Sequence, residues 1–277
     1  MNDHRISELS LGATAYWTAG VRARESRRED RLFNDPWAAA LAGELGETWI
    51  AQHSEEATLP LVVRTRYFDD FLLRVSSQKC ARNVVILAAG LDTRAFRINW
   101  PPGARVFELD QPFVLHHKES VLRFSEAQPT CERRTIHSDL TQPWKDALLE
   151  SGFDPNESSV WLLEGLLFYL PNDAVAHILD SVSALAAPGS WLGCDIINGS
   201  VLSSPYTKAW IDMQARSGAP WIGFLDDPES FLAGRGWSAS LTQAGQQDAN
   251  YGRWTLPILP VKMPNMPHYW FVTAKKG

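Results

Sequence analysis

Cysteine is scarce in this chain. There are three in 277 residues, Cys80, Cys131 and Cys194, far apart and in no Cys-x-x-Cys spacing. That pattern argues against a disulfide framework and a structural zinc site. Long apolar runs are missing as well. No stretch of 18 apolar residues occurs, and the opening MNDHRISELS holds no apolar segment of the signal-peptide kind, so the expected setting is the cytoplasm. A basic stripe is also lacking. The net charge is −6, and the densest run of arginines, RARESRREDR at 22–31, is interleaved with Glu25, Glu29 and Asp30. Nucleic acid is therefore not an expected partner. Finally, the first strand candidate is not followed by G-x-G-x-x-G. Ala88 and Ala89 stand where a dinucleotide's phosphates would need bare backbone.

What remains is the composition of an ordinary globular chain, 45% hydrophobic and 21% charged, long enough for one large α/β domain or one and a half smaller ones. Residues 9–75 read as helices. LSLGATAYWTAGVRARES spaces small and aromatic residues helically, NDPWAAALAGEL begins with capping residues and Pro36, and LPLVVRTRYFDDFLLRVSS is amphipathic. From NVVILA onward the pattern changes. Strands are expected at 83–88, 104–109, 133–137, 159–164 and 190–197, alternating with helical segments, and two more at 236–243 and 268–276. Residues 199–235 read as a helical insertion. Strands alternating with helices imply right-handed crossovers and a mostly parallel sheet of about seven strands, its last pair antiparallel. The expected organisation is an N-terminal helical cap over 1–78 and a Rossmann-like core over 79–277.

The loop after the first strand, AAG, exposes its main chain to a ligand, because Ala88 and Ala89 are small and Gly90 has no Cβ. Asp92 follows at once, and its charge would repel a diphosphate there. A phosphate-free, positively charged cofactor such as S-adenosylmethionine meets no such objection. VFELD ends on Asp110, twenty positions past Gly90, where a carboxylate can accept both ribose hydroxyls of either NAD or S-adenosylmethionine. SDL places Asp139 and Leu140 after the third strand, suited to an adenine amine and its ring. Each acid alone is also compatible with a strand-end turn.

Taken in order, RTRYFDDFLL, VVILAAGLDTRAFRI, VFELDQP, SDL and WLLEGLLFYLP resemble the leucine carboxyl methyltransferase family. With GATAYWTAGVRARES and LFNDPWAAALAG, they resemble its bacterial branch, which includes a polyketide O-methyltransferase; the likeness spans most of 10–197. The resemblance implies a class I methyltransferase fold that uses S-adenosylmethionine. It implies that Arg64 or Arg66 clamps the methionine carboxylate, that Gly90 underlies the amino-acid portion, and that Asp110 holds the ribose. Asp139 and Leu140 would take the adenine, Glu164 would sit near the amino group or sulfonium, and Tyr169 near the site of transfer. Ala88 departs from the family, which carries Gly there, and a weakened or slightly displaced cofactor is the expected consequence. Arg64 and Arg66 are equally placed for helical ion pairs with Asp69 or Asp70.

The acceptor is less defined. A carboxylate is ionised at neutral pH and needs no base, whereas a phenol or alcohol would benefit from one. Among seven histidines, His268 at the start of the last strand is the best base candidate; no acid–His pairing stands out, which favours methylation of a carboxylate. Arg22, and Arg24 beside it, could supply a cation to such an acceptor. The aromatic stretches Tyr16–Trp17, Tyr206–Trp210 and Trp221–Phe224 would suit a planar, largely apolar small molecule, and equally suit core packing. A nicotinamide-dependent oxidoreductase, a nucleic-acid methyltransferase, a protein C-terminal methyltransferase and a non-catalytic relative are the competing expectations.

Overall fold

The computed structural model describes residues 2–77 and 82–277, with side chains from Gly12 onward. Cys80 and the 78/79 division lie outside the described residues. Chain order begins with three helices, α1 (Asn2–Ser26), α2 (Ala38–Ala51) and α3 (Glu55–Ser76). The alternating part follows as β1 (Asn83–Leu87), α4 (Arg94–Arg97), β2 (Arg105–Asp110), α5 (Pro112–Phe124), β3 (Glu132–His137), α6 (Lys145–Glu150), β4 (Ser159–Leu163), α7 (Asn172–Leu185) and β5 (Trp191–Ile197). Short helices α8 (Gly199–Ser203), α9 (Lys208–Arg216) and α10 (Pro228–Ala233) lead to β6 (Trp237–Thr242) and β7 (Tyr269–Lys276).

The strands form one seven-stranded sheet in the order β3-β2-β1-β4-β5-β7-β6. β1 through β5 pair in parallel, and β7 runs antiparallel to both β5 and β6. β1 and β4 are buried at every position, as strands covered on both faces must be. Alternation along them divides the core. Val84, Ile86, Val160 and Leu162 pack with Val63, Phe68, Phe71 and Leu72 of α3. Val85, Leu87, Trp161 and Leu163 pack with Leu148 of α6 and Ile178, Leu179 and Val182 of α7. α3 thus shares one core with the sheet. No described helix is long and apolar enough to cross a membrane.

Two of the N-terminal helices cross closely because glycines face each other. A Cβ on Gly46 would sit 2.5 Å from the Tyr16 carbonyl oxygen, and one on Gly20 would sit 2.8 Å from the Gly46 carbonyl oxygen. α1 is thereby held over the C-terminal ends of the central strands. α3 starts at Ser54, whose hydroxyl accepts from the Ala57 amide at 3.2 Å, with Glu55 and Glu56 in its first turn.

The expected insertion over 199–235 is less helical than its composition suggests. α9 ends at Arg216, and the chain through Trp221 is irregular before α10. Gly218, at φ +77°, and Pro220 stop the helix. Trp221 is instead fixed where the Ile222 and Gly223 amides donate to the Phe168 carbonyl at 2.7 and 3.1 Å.

Candidate functional site

Strand order reverses between β1 and β4, and a cavity of about 530 Å³ opens at their C-terminal ends. In open α/β sheets ligands bind at such a crevice. Ala88, Gly90, Asp110, Asp139, Leu140, Glu164, Tyr169, Arg64, Arg22 and His268 all border this cavity. Arg66 does not. It holds Asp70 at 2.9 and 3.0 Å and donates to the Leu32 carbonyl at 2.6 Å, so of the two arginines of RTRY only Arg64 reaches the cavity.

β1 ends at Leu87, one residue short of the expected strand, because Ala88 turns into the left-handed region at φ +53°. Gly90 follows at φ +48°. The turn aims the Gly90 amide at the end of β2, where it donates to Asp110 Oδ2 at 2.5 Å. Asp110 Oδ1 accepts from the Gln111 amide at 2.6 Å. Burial pushes the Asp110 carboxyl above the usual range despite these donors. Asp139 is exposed at the cavity edge, accepting from the Thr141 amide and hydroxyl, both at 2.8 Å, with Leu140 half-buried beside it.

The opposite wall is an ion network. Arg64, 6% exposed, donates from Nε to Glu164 Oε1 at 2.8 Å and from Nη1 to Asp195 Oδ2 at 3.0 Å. Its Nη2 makes no hydrogen bond to a described residue. Asp195 also accepts from the Gly165 amide at 2.7 Å and from the Tyr269 hydroxyl. Arg94 pairs with Asp69 at 2.6 Å, with Asp92, and lies 2.7 Å from Glu164 Oε2. That oxygen is buried yet outside hydrogen-bond geometry with any described donor. Burial raises the Asp92 carboxyl, but Arg94, with Lys118, Arg97 and Arg22, outweighs it and holds Asp92 at about 2. Burial raises Asp195 in spite of Arg64. Arg94, Asp195 and Tyr269 carried no role in the sequence reading. The one available signal was Asp195 inside the apolar run WLGCDII, since a buried charge demands a partner.

Two expected catalytic residues have other commitments. Arg22 donates to Asp35 Oδ2 at 2.8 Å and to the Leu91 carbonyl at 2.6 Å, and Thr93 donates to the same Asp35 oxygen at 2.6 Å. Arg22 therefore ties α1 to the loop after β1 and offers no free cation to an acceptor. His268 is 2% exposed; its Nδ1 lies 2.8 Å from Gln243 Oε1 and its Nε2 2.9 Å from the Met263 carbonyl. Both ring nitrogens are directed at protein oxygens and neither at an acceptor in the cavity. Tyr169 lies beside Thr14 and Trp221, and burial pushes its phenol upward, so it remains protonated near neutrality.

An apolar chamber adjoins the ion network. Trp221 packs on Phe168 with centroids 4.3 Å apart, on Trp210 at 5.9 Å and on Tyr269 at 6.2 Å. Trp17 and Trp49, stacked at 5.3 Å, border the same cavity with Pro60 and Leu61.

A doubly wound sheet with an antiparallel last strand between β5 and β6, and a cavity at its switch point, defines the class I methyltransferase fold. The family described as Leucine carboxyl methyltransferase matches residues 15–183, and the chain belongs to it. A protein of Streptomyces avermitilis named "Putative S-adenosyl-L-methionine-dependent methyltransferase" is 40% identical over 262 residues, 90% of each chain. One of the same description from Parafrankia is 42% identical over 285 residues, covering 99% of this chain and 90% of the other. Among solved structures, a DUF574 family protein from Streptomyces avermitilis superposes with a TM-score of 0.59 at 12% identity, over 94% of this chain and 97% of that one.

Proposed function

We propose that this protein transfers the methyl group of S-adenosylmethionine to the carboxylate of a small, planar, largely apolar acid, giving a methyl ester. The coarser part follows from family membership: it is an S-adenosylmethionine-dependent methyltransferase. The observation that carries the finer reading is the cavity's donor set, which suits the cofactor and leaves no base for the acceptor.

The residues fit the cofactor. Among the charged residues that border the cavity, Asp92, Asp110, Asp139 and Glu164 outnumber Arg22, Arg64 and Arg94, so the walls favour a cation over a diphosphate. Arg64 would hold the methionine carboxylate through its unused Nη2, a charge-assisted donor. Glu164, which borders the cavity and is paired with Arg64 and Arg94, would face the ammonium group. Asp110 would receive the ribose hydroxyls, and Asp139 with Leu140 the adenine. Gly90 has room below it, since an added Cβ would meet only Ala15 at 3.5 Å and its own loop.

When bound, S-adenosylmethionine supplies an electrophilic methyl group on a sulfonium. In-line transfer forms a carbon–oxygen bond as the carbon–sulfur bond breaks, and the electron pair stays on sulfur. The protein's task is to hold the acceptor close and aligned, which can supply much of the acceleration. His268 has both ring nitrogens engaged, and Tyr169 and Tyr269 stay protonated. An acceptor already ionised at neutral pH is what such a chamber can use.

The test combines binding and product chemistry. Calorimetry should detect S-adenosylhomocysteine binding to the wild type, no NADH binding, and a loss of about tenfold or more in Asp110→Ala. Methyl-labelled cofactor with a set of aromatic acids and phenols should give a product that releases methanol in alkali. A base-stable product would overturn the carboxylate reading alone, whereas absent S-adenosylhomocysteine binding would overturn the cofactor reading.

A further inference from the structure

Asp195 lies on β5, and Tyr269 opens β7 opposite Ile197, two positions beyond Asp195. Both side chains therefore leave the same face of the sheet, and α3 sets Arg64 against them. Arg64 Nη1 donates to Asp195 Oδ2 at 3.0 Å and to the Tyr269 hydroxyl at 3.1 Å. The Tyr269 hydroxyl, kept protonated by burial, donates in turn to Asp195 Oδ2. Guanidinium, phenol and carboxylate thus close a ring of hydrogen bonds. Asp195 is fully buried and is itself fixed, because its Oδ1 accepts from the Gly165 amide at 2.7 Å. Gly165, at φ +67°, lets its main chain lie against the guanidinium; a Cβ there would sit 3.3 Å from Nη2 and 3.4 Å from Nη1. With Nε on Glu164 and Nη1 in the ring, Nη2 is the part of Arg64 left for a ligand. Arg64, Gly165 and Tyr269 border the cavity, and Asp195 stands behind them.

Resting on the methyltransferase reading above, we propose that Asp195 and Tyr269 are positioning residues for the methionine end of the cofactor, acting through Arg64 by fixing the direction of its free Nη2. Attraction at a distance is not what Arg64 has to offer, because Glu164 and Asp195 already offset its charge. Direction is. A long side chain that must be ordered when a ligand arrives loses affinity to that ordering. The ring with Asp195 and Tyr269 orders Arg64 when the chain folds, so a carboxylate meets a donor already in place. Tyr269 also reaches the neighbouring chamber, with its ring 6.1 Å from Phe168 and 6.2 Å from Trp221. One residue thereby joins the seat of the methionine end to the aromatic wall beside it.

The probes are S-adenosylhomocysteine and 5′-methylthioadenosine, which keeps the adenosine and thioether but has no amino-acid end. Calorimetry should show wild type binding both, S-adenosylhomocysteine at least about tenfold more tightly. Tyr269→Phe keeps the ring and the net charge. It should weaken S-adenosylhomocysteine about fivefold or more and leave 5′-methylthioadenosine within twofold. Asp195→Asn is the sharper variant. It removes a negative charge beside Arg64, which by Coulomb's law alone would strengthen the hold on a carboxylate. Lost positioning predicts the opposite sign, a selective weakening of S-adenosylhomocysteine. Unchanged S-adenosylhomocysteine affinity in Tyr269→Phe, tighter binding in Asp195→Asn, parallel loss of both probes, or a wild type that binds the two equally would each overturn the proposal. Binding of 5′-methylthioadenosine by wild type leaves the cofactor reading standing in all those cases; binding of neither probe would remove the basis of both.

Discussion

Ala88 holds a backbone conformation that most side chains avoid. At φ +53° its Cβ crowds the following carbonyl, a cost of roughly 1–2 kcal/mol in an L-residue. Replacing it by glycine removes that cost and adds about 0.5–1 kcal/mol of chain entropy. Ala88→Gly is therefore expected to stabilise slightly, raising the melting temperature by about 2 °C, and to tighten S-adenosylhomocysteine binding because the loop can relax toward the ligand. Calorimetry on the pure variant checks both, and a lower melting temperature would refute the strain argument. The residue scale also separates what sequence could and could not reveal. Asp110 and Glu164 were readable because a strand end and a motif locate them without knowledge of partners. Arg64 and Arg66 were not separable, because both lie within helical reach of an aspartate. The choice rests on Asp195, 131 positions away.

Elements were more legible than contacts. All seven strands were legible to within a residue; β1 and β4 are apolar runs buried on both faces, whereas the half-exposed β3 and β6 were read from their place in the alternation. The stretch around Trp221 misled because its aromatics suit a helix, while Gly218 and Pro220 decide otherwise. How α1 crosses α2 had no local signature, although it sets the roof of the site. That crossing makes a prediction. In Gly46→Ala the new methyl would fall 2.5 Å from the Tyr16 carbonyl oxygen and 2.6 Å from Ala42 Cβ, both on backbone or short side chains that cannot step aside. Overpacking of this kind costs about 1–3 kcal/mol. Ala15, adjacent to Tyr16, stands over Gly90, so displacement of α1 should also weaken S-adenosylhomocysteine binding. Gly234→Ala, whose methyl meets nothing nearer than 3.7 Å, should leave stability and binding unchanged. Equal behaviour of the two variants in urea unfolding would discount the crossing as the support of the roof.

Across the whole molecule, one ion network joins pieces that are distant in the chain. Asp69 comes from α3, Asp92 from the loop after β1, Arg94 and Arg97 from α4, and Glu164 from the end of β4. Burial raises Asp69, but Arg97 and Arg94 outweigh it and hold its carboxyl below the usual range; Asp92 is held at about 2. Both folded values lie under the unfolded one. Their stabilisation is thus complete above the unfolded carboxylate pKa and fades as pH falls through the folded values. Wild-type stability, as far as these two groups govern it, should hold from neutrality to about pH 4 and decline below that. Arg94→Met removes the shared cation and leaves buried Asp92 without its ion-pair partner, while Asp69 keeps Arg97 and Glu164 keeps Arg64, a loss of about 3 kcal/mol at pH 7. In that variant burial acts on Asp92 with less opposition, so its folded pKa rises and the carboxyl takes up a proton in mild acid. The gap between variant and wild type should then narrow from pH 7 to pH 4, as read by urea unfolding at each pH. A gap that stays constant would mean that Arg94 contributes packing alone, and that α3, the cofactor loop and β4 are joined by shape and not by charge.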